Sequence, residues 1–281
     1  MGYPKITSSS NERIRNVLKM ERQASDSKRL LLIEGPHLIE MAMNSGAEIG
    51  EVFVAEKFIS ETDSSGLMAR LDHVSAEIFE VSDHIIKKLS GTETTQGVVA
   101  LAELRMQTLE ALNLQEKPLL IVADGIQDPG NLGSIIRTAD AAGADAVIIM
   151  PGTCDAYSQK VIRSTAGSLF NMPLINETPD RLLKWLKDKG MALTVTAADA
   201  ELSLFEADLS GPIAMAFGNE GRGISRGLKK AAAVSIRIPI LGRAESLNVA
   251  ASAAVCIYEA ARQRGGRGEQ PGPATEVPCS P

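Results

Sequence analysis

The sequence predicts an α/β protein in two parts, the larger of them built on a parallel sheet. Short apolar runs alternate with helix-like stretches along most of the 281 residues, the pattern of strands fed by intervening helices. The alternation breaks once, over the polar stretch from Leu104 to Lys117, and restarts after Pro118. In the second half, three segments rich in Gly or Pro each follow an apolar run and lead into a helix-like stretch. Ligands of parallel sheets sit beyond the carboxyl ends of the strands, where all three segments fall.

Taken in order, residues 11–24 read as a helix, with Ser10 or Asn11 as cap and Ile14, Val17 and Leu18 on one face. Strands are expected at Leu30–Ile33, Glu51–Ala55, Glu77–Val81 and Val98–Ala102. Helices between them are expected at Pro36–Asn44, Ser64–Asp72 and Asp83–Leu89. These make a smaller α/β domain over residues 1–105, followed by a linker at 106–117.

The second domain, residues 118–264, opens with strand Leu119–Ala123, helix Leu132–Ala142 and strand Ala146–Met150. Helices Gln159–Ser164 and Asp180–Lys189 and strand Ala192–Thr196 follow. Strand Ile213–Phe217, helix Ser225–Ala232, strand Ser235–Ile238 and an Ala-rich helix from Ser246 to Arg264 complete it. Trp185 shares a helical stripe with Leu182, Leu183 and Leu186 and is expected in the core. Residues 265–281 carry Gly and Pro but little to pack, and are expected to be a disordered tail.

An apolar content of 44% and 23% charged residues are those of a soluble globular protein. No apolar run approaches the ~20 residues that cross a bilayer, and Met1–Arg15 lacks the apolar core of a secretory signal. Cys154 and Cys256 have no metal-like spacing with each other or with histidine. A reduced, cytoplasmic protein with no metal is expected.

The net charge of −6 argues against an indiscriminate nucleic-acid binder. Its distribution weakens that objection: residues 1–30 hold seven Lys/Arg against three acids, and residues 31–105 five against thirteen. A clustered basic patch can hold phosphates on an acidic protein. A solvated helix face is the alternative.

The three marked segments are Asp128-Pro129-Gly130-Asn131-Leu132-Gly133-Ser134-Ile135-Ile136-Arg137, Gly218-Asn219-Glu220-Gly221-Arg222-Gly223 and Ile238-Pro239-Ile240 through Ser246-Leu247-Asn248-Val249-Ala250. Pro129-Gly130-Asn131 suits a sharp turn at a strand end, with Asn131 as the expected helix cap. Three Gly within six residues allow close backbone approach in the second segment. Its Gly-x-x-Gly-x-Gly spacing is not the dinucleotide fingerprint, so a dehydrogenase is not expected.

In order and spacing these segments resemble the three motifs of the SpoU (TrmH-type) family of SPOUT RNA methyltransferases, over residues 118–264. The N-terminal part, with Asn11-Glu12-Arg13-Ile14-Arg15 and Leu31-Leu32-Ile33-Glu34-Gly35-Pro36-His37, more loosely resembles the L30e-like substrate-binding domain often joined to them. The resemblance implies a parallel-sheet domain with a deep trefoil knot that works as a homodimer. It implies methyl transfer from S-adenosylmethionine to a ribose 2′-hydroxyl, with large-subunit ribosomal RNA as the preferred substrate. The alternatives are transfer RNA, or an RNA- or ribosome-binding protein that has lost methylation.

Carried over position by position, Asn131, Arg137, Glu220, Ser246 and Asn248 are the implied catalytic residues. Gly218, Ile238 and Leu247 are the implied cofactor contacts. Arg13, Arg15, Arg22 and Arg163 are the candidate RNA contacts, Arg163 being equally readable as an ordinary helix end. Arg137 has the donor fork that suits a phosphate, and its other reading is a surface ion pair. All three histidines, His37, His73 and His84, lie in the first domain, which leaves the proton acceptor open.

Overall fold

Residues 2–20, 28–60, 65–74 and 76–265 are described in the computed structural model of the protein, and they form two sheets. The first is mixed. Its strands are β1 (Lys5–Ile6), β2 (Lys28–Glu34), β3 (Glu48–Ala55), β4 (Glu77–Val81) and β5 (Val98–Arg105), in the order β1-β4-β3-β5-β2. β3 and β5 pair antiparallel, as do β2 and β5, whereas β4 runs parallel to both neighbours. Helices α1 (Glu12–Met20), α2 (Pro36–Asn44), α3 (Glu56–Ser60), α4 (Ser65–His73) and α5 (Asp83–Ser90) connect them. Ile14 and Val17 of α1 are buried, as the helical stripe requires. The part of the predicted first helix beyond Met20 lies outside the described residues, as do Arg22 and the predicted tail from residue 266.

The second sheet has seven strands, all parallel. They are β6 (Leu119–Asp124), β7 (Ala146–Ile149), β8 (Leu174–Asn176), β9 (Ala192–Thr196), β10 (Leu202–Ser203), β11 (Ile213–Gly218) and β12 (Val234–Arg237). Their order is β10-β12-β9-β11-β6-β7-β8. Central β6 and β11 are buried along their whole length, which is why they read as continuous apolar runs. Helices α6 (Pro129–Ala141), α7 (Gln159–Ser164), α8 (Pro179–Asp188) and α9 (Arg226–Ala231) lie in the connections, and α10 (Val249–Gln263) follows the last strand. Trp185 is buried beside Leu182 and Leu186, as expected. After β12 the chain turns back, and α10 packs on α6 and β11 instead of beside β12. The knot implied by the fold belongs to this return.

In the polar stretch before Pro118, Leu109 is buried, and Leu112 and Leu114 pack against the same core as Trp185. Two local expectations need correction. The first marked helix starts at Pro129, and its cap is Asp128, whose carboxylate accepts from the Asn131 N–H at 2.9 Å. Asn131 is therefore inside the first turn, because Pro129 takes the first helical position, where a missing N–H costs nothing. The last helix starts at Val249, not Ser246, and Asn248 caps it by accepting from Ala250 and Ala251.

The two sheets share one apolar core and are pinned by the segment around α7. Arg29 Nη2 lies 2.6 Å from Asp155 and its guanidinium 4.6 Å above the Tyr157 ring. Gln159 Nε2 donates to the Leu32 carbonyl at 2.7 Å. Gly167 has φ +97, and a Cβ there would meet Met41 Cγ at 2.9 Å, so only glycine fits this seam.

Candidate active site

The three marked segments meet at the carboxyl ends of β6, β11 and β12. The middle one is the most constrained. Gly218 ends β11, and a Cβ on it would lie 2.3 Å from the backbone of Gly223 and Ile224. The turn is closed on itself by paired backbone bonds between Asn219 and Gly223, at 3.0 and 2.9 Å. The Asn219 side chain accepts from the Gly221 and Arg222 amides and donates to the Gly125 carbonyl at 2.8 Å, tying the turn to the end of β6.

That rigid turn aims Glu220 at the start of α6. Its carboxylate accepts from Asn131 Nδ2 at 2.9 Å, and from the backbone amides of Gln127 and Asp128 at 3.3 and 3.4 Å. Partial burial pushes this carboxyl up. Hydrogen bonds from Asn131, its own amide, Gln127 and Asp128 outweigh that and hold it below the usual glutamate value. Asn131 Oδ1 in turn accepts from Asn248 Nδ2 at 2.9 Å. Segments 89 and 117 residues apart in sequence are thus joined through one carboxamide.

Beside this junction lies a cleft of about 540 Å³, in the range of small-molecule sites. Gly218, Glu220, Ile238, Ser246, Leu247 and Asn248 all line it. Seven of the eight implied catalytic and cofactor residues are thereby in or bonded to one cleft, Asn131 through its two side-chain bonds. Arg137 is the exception: it stands exposed on α6 outside the cleft wall, with no side-chain partner among the described residues. Ser246 likewise has no side-chain bond among the described residues and leaves capping to Asn248.

S-adenosylmethionine fits the donor set. Gly218 brings its backbone to the cleft in a turn too tight for any side chain, Ile238 and Leu247 supply apolar walls, and Glu220 and Glu245 bring negative charge toward a cationic ligand. The opposite wall, Thr196 to Ala198, was not legible as part of a site. Arg237 fixes its continuation by donating to the Ala200 carbonyl at 2.8 Å and to that of Glu201. Nothing in the local sequence marks this latch, because its acceptors are main-chain groups some 36 residues away.

The candidate RNA contacts fare differently. Arg13 is spent on Glu51 and Glu77, at 2.9 and 2.6 Å, and lies 4.3 Å over the Phe79 ring. Arg163 donates to the Ser90 carbonyl across the seam between the sheets. Arg15 is exposed and unpaired among the described residues.

Comparison with known proteins places the chain in a family. The SpoU rRNA Methylase family model matches residues 118–258, and the MRM3-like substrate binding domain model matches 11–100. A 23S rRNA (guanosine(2553)-2′-O)-methyltransferase, RlmP of Bacillus subtilis, is 34% identical over 90% of this chain and 97% of its own. A 23S rRNA (guanosine-2′-O-)-methyltransferase, RlmB of Ralstonia nicotianae, is 34% identical over 85% and 97%. The AdoMet-bound rRNA methyltransferase of Sinorhizobium meliloti superposes with a TM-score of 0.82, at 28% identity over 92% of this chain and 98% of that one. With the family model over residues 118–258 and relatives 34% identical along most of its length, the chain belongs to the SpoU rRNA methylase family.

Proposed function

We propose that the protein transfers the methyl group of S-adenosylmethionine to a ribose 2′-hydroxyl of 23S-type ribosomal RNA. The observation that carries this reading is the Glu220–Asn131–Asn248 junction at the mouth of the Gly218 cleft. The substrate class is supported by the relatives, whose names specify 23S rRNA.

S-adenosylmethionine, when bound, supplies a methyl already activated by its sulfonium. The chain's own residues then have to orient and to desolvate. Gly218, Ile238 and Leu247 hold the donor, and Ser246 faces the reacting hydroxyl. Glu220 stays ionised and occupied by three donors, so it serves as the anchor of Asn131 and not as the base. Arg137, exposed and free of partners among the described residues, holds the phosphate beside the target ribose and polarises the 2′-hydroxyl.

In this reading residues 1–105 dock the RNA, 106–117 join the halves, and 118–264 carry the chemistry. The working unit is a homodimer through the second domain. Ala251, Val255 and Tyr258 form an exposed stripe on α10, and Leu241 in the third segment is 97% exposed. Such apolar exposure suits a partner surface. No helix among the described residues is long and apolar enough to cross a membrane, in keeping with work on ribosomal RNA in the cytoplasm.

The test is transfer of labelled methyl from S-adenosylmethionine to purified 23S, 16S and transfer RNA. Labelling of 23S rRNA at a 2′-hydroxyl is expected. Labelling of transfer RNA alone would overturn the substrate, and failure to bind S-adenosylmethionine by calorimetry would overturn the enzyme.

A further inference from the structure

Between Glu220 and Glu245 the chain carries six Lys/Arg and no acid, on a protein whose net charge is −6. The fold separates these cations. Arg237 faces the cofactor cleft, but Arg222, Arg226, Lys229 and Lys230 line a second cavity, of about 770 Å³. This cavity lies against the other side of the Gly218–Gly223 turn, since Asn219 and Gly223 line both spaces. Gln127 and Gly152 belong to its wall, tied together by the Gln127 Nε2 bond to the Gly152 carbonyl at 2.7 Å.

Three of its four cations are uncompensated among the described residues. Lys229 pairs with Asp199 at 3.0 Å, but the side chains of Arg222, Arg226 and Lys230 are exposed and have no partner among the described residues. The one carboxylate in the wall among the described residues, Asp124, is 5% exposed and accepts the Ser225 amide at 2.6 Å. Arg13 offers the contrast, because two glutamates already neutralise it. Free cations around a concave surface attract a chain of phosphates, and Arg adds a fork that matches phosphate oxygens.

We propose that this cavity binds the phosphodiester backbone of the substrate RNA beside the nucleotide being methylated. The placement gives it that role: Gln127 lies in the basic wall, and its amide is one of the donors to Glu220. An RNA strand held there enters the cleft past a turn made rigid by the Asn219–Gly223 pairing. The proposal rests on the RNA methyltransferase reading above.

The experiment uses the full chain with Arg226→Gln and Lys230→Gln together, both exposed and outside the catalytic junction. Affinity for a 23S rRNA fragment is measured across a salt series, alongside S-adenosylmethionine affinity and steady-state methyl transfer. The variant is expected to bind RNA roughly tenfold more weakly, with the slope of log K against log salt shallower by about 1.4, near 0.7 per lost phosphate contact on a single strand. S-adenosylmethionine affinity and kcat at saturating RNA stay at wild-type values, while KM for RNA rises. An unchanged RNA affinity and salt slope overturns the proposal. So does a wild-type chain that binds inorganic phosphate in this cavity while the variant loses phosphate and keeps RNA. Wild type that binds RNA without methylating it breaks the enzymatic reading and leaves the comparison of affinities decisive. Wild type that binds no RNA overturns both.

Discussion

Asn131 Nδ2 lies 2.9 Å from Glu220 Oε1, a bond between the first turn of α6 and the turn after β11. A hydrogen bond to an ionised group contributes about 1.5–3 kcal/mol, so this one bond accounts for a ~10- to 100-fold effect if it matters only in the transition state. Asn131→Ala and Glu220→Ala are each expected to lower kcat by that order. The double variant is expected to be little worse than either single one, because the two residues act as a unit. Single-turnover methylation with saturating RNA measures the cycle. Additive losses would show that the residues work separately.

Gly218→Ala puts a methyl group 2.3 Å from the Gly223 and Ile224 backbone, which has no rotamer to escape to. The turn must open, and S-adenosylmethionine affinity is expected to fall more than about tenfold, since a shift of ~1.4 kcal/mol already does that. Gly221→Ala is the control: its Cβ would find only Asn219 Oδ1, at 3.7 Å. Calorimetric titration of both variants decides, and equal affinities would remove Gly218 from the cofactor site.

What the sequence disclosed was whatever is written in contiguous residues. Gly218, Glu220, Leu247 and Asn248 stand in short motifs, and the fold brings them to the wall of one cleft. What it hid depends on distant partners. Arg13 looked like a free cation until Glu51 in β3 and Glu77 in β4 were brought to either side of it. Asn131 reads as a cap in the sequence because Pro129 and Gly130 suggest a turn, whereas Pro129 is the first residue of the helix. β8 and β10 hold three and two residues, too few for any periodicity.

Arg137 is exposed and makes no side-chain hydrogen bond or ion pair among the described residues, so its removal breaks no polar tie. Arg137→Ala is expected to leave Tm within about a degree, as surface substitutions cost under ~0.5 kcal/mol. Methyl transfer is expected to fall by at least about 100-fold, an electrostatic loss of ~2.7 kcal/mol. Near-normal turnover with bound RNA would discard the assignment.

Arg29 is the main charged tie between the two sheets, holding Asp155 at 2.6 Å and covering Tyr157. Its side chain is only 18% exposed, so solvent screens the pair less than a surface bridge. Arg29→Ala is expected to cost about 1–3 kcal/mol, read as a lower Tm, and to speed proteolysis within residues 106–117. Arg29→Lys keeps the charge but not the planar cover of Tyr157, and is expected to recover only part. Full recovery by Lys would show that the ring contact contributes nothing.

Glu259 gives the fold a specific acid sensitivity. Two bonds from Arg262 and one from Gln263, all 2.8 Å, hold its carboxyl down from an ordinary 4.5 to about 2. The same Gln263 amide clasps the Ala207 carbonyl and the Leu209 amide, so the carboxylate orients a link between α10 and the chain before β11. A group depressed in the folded state stabilises above its unfolded pKa and loses that contribution as pH falls toward the folded one. The window is therefore from about pH 4.5 down to about 2. Glu259→Gln is expected to lower Tm at neutral pH, and the gap from wild type is expected to narrow steadily below pH 4.5. Thermal unfolding of both proteins from pH 7 to pH 3 measures it, with the ordinary range for carboxylate titration inside that span. A gap that stays constant across the range would mean that Glu259 acts through packing and not through its charge.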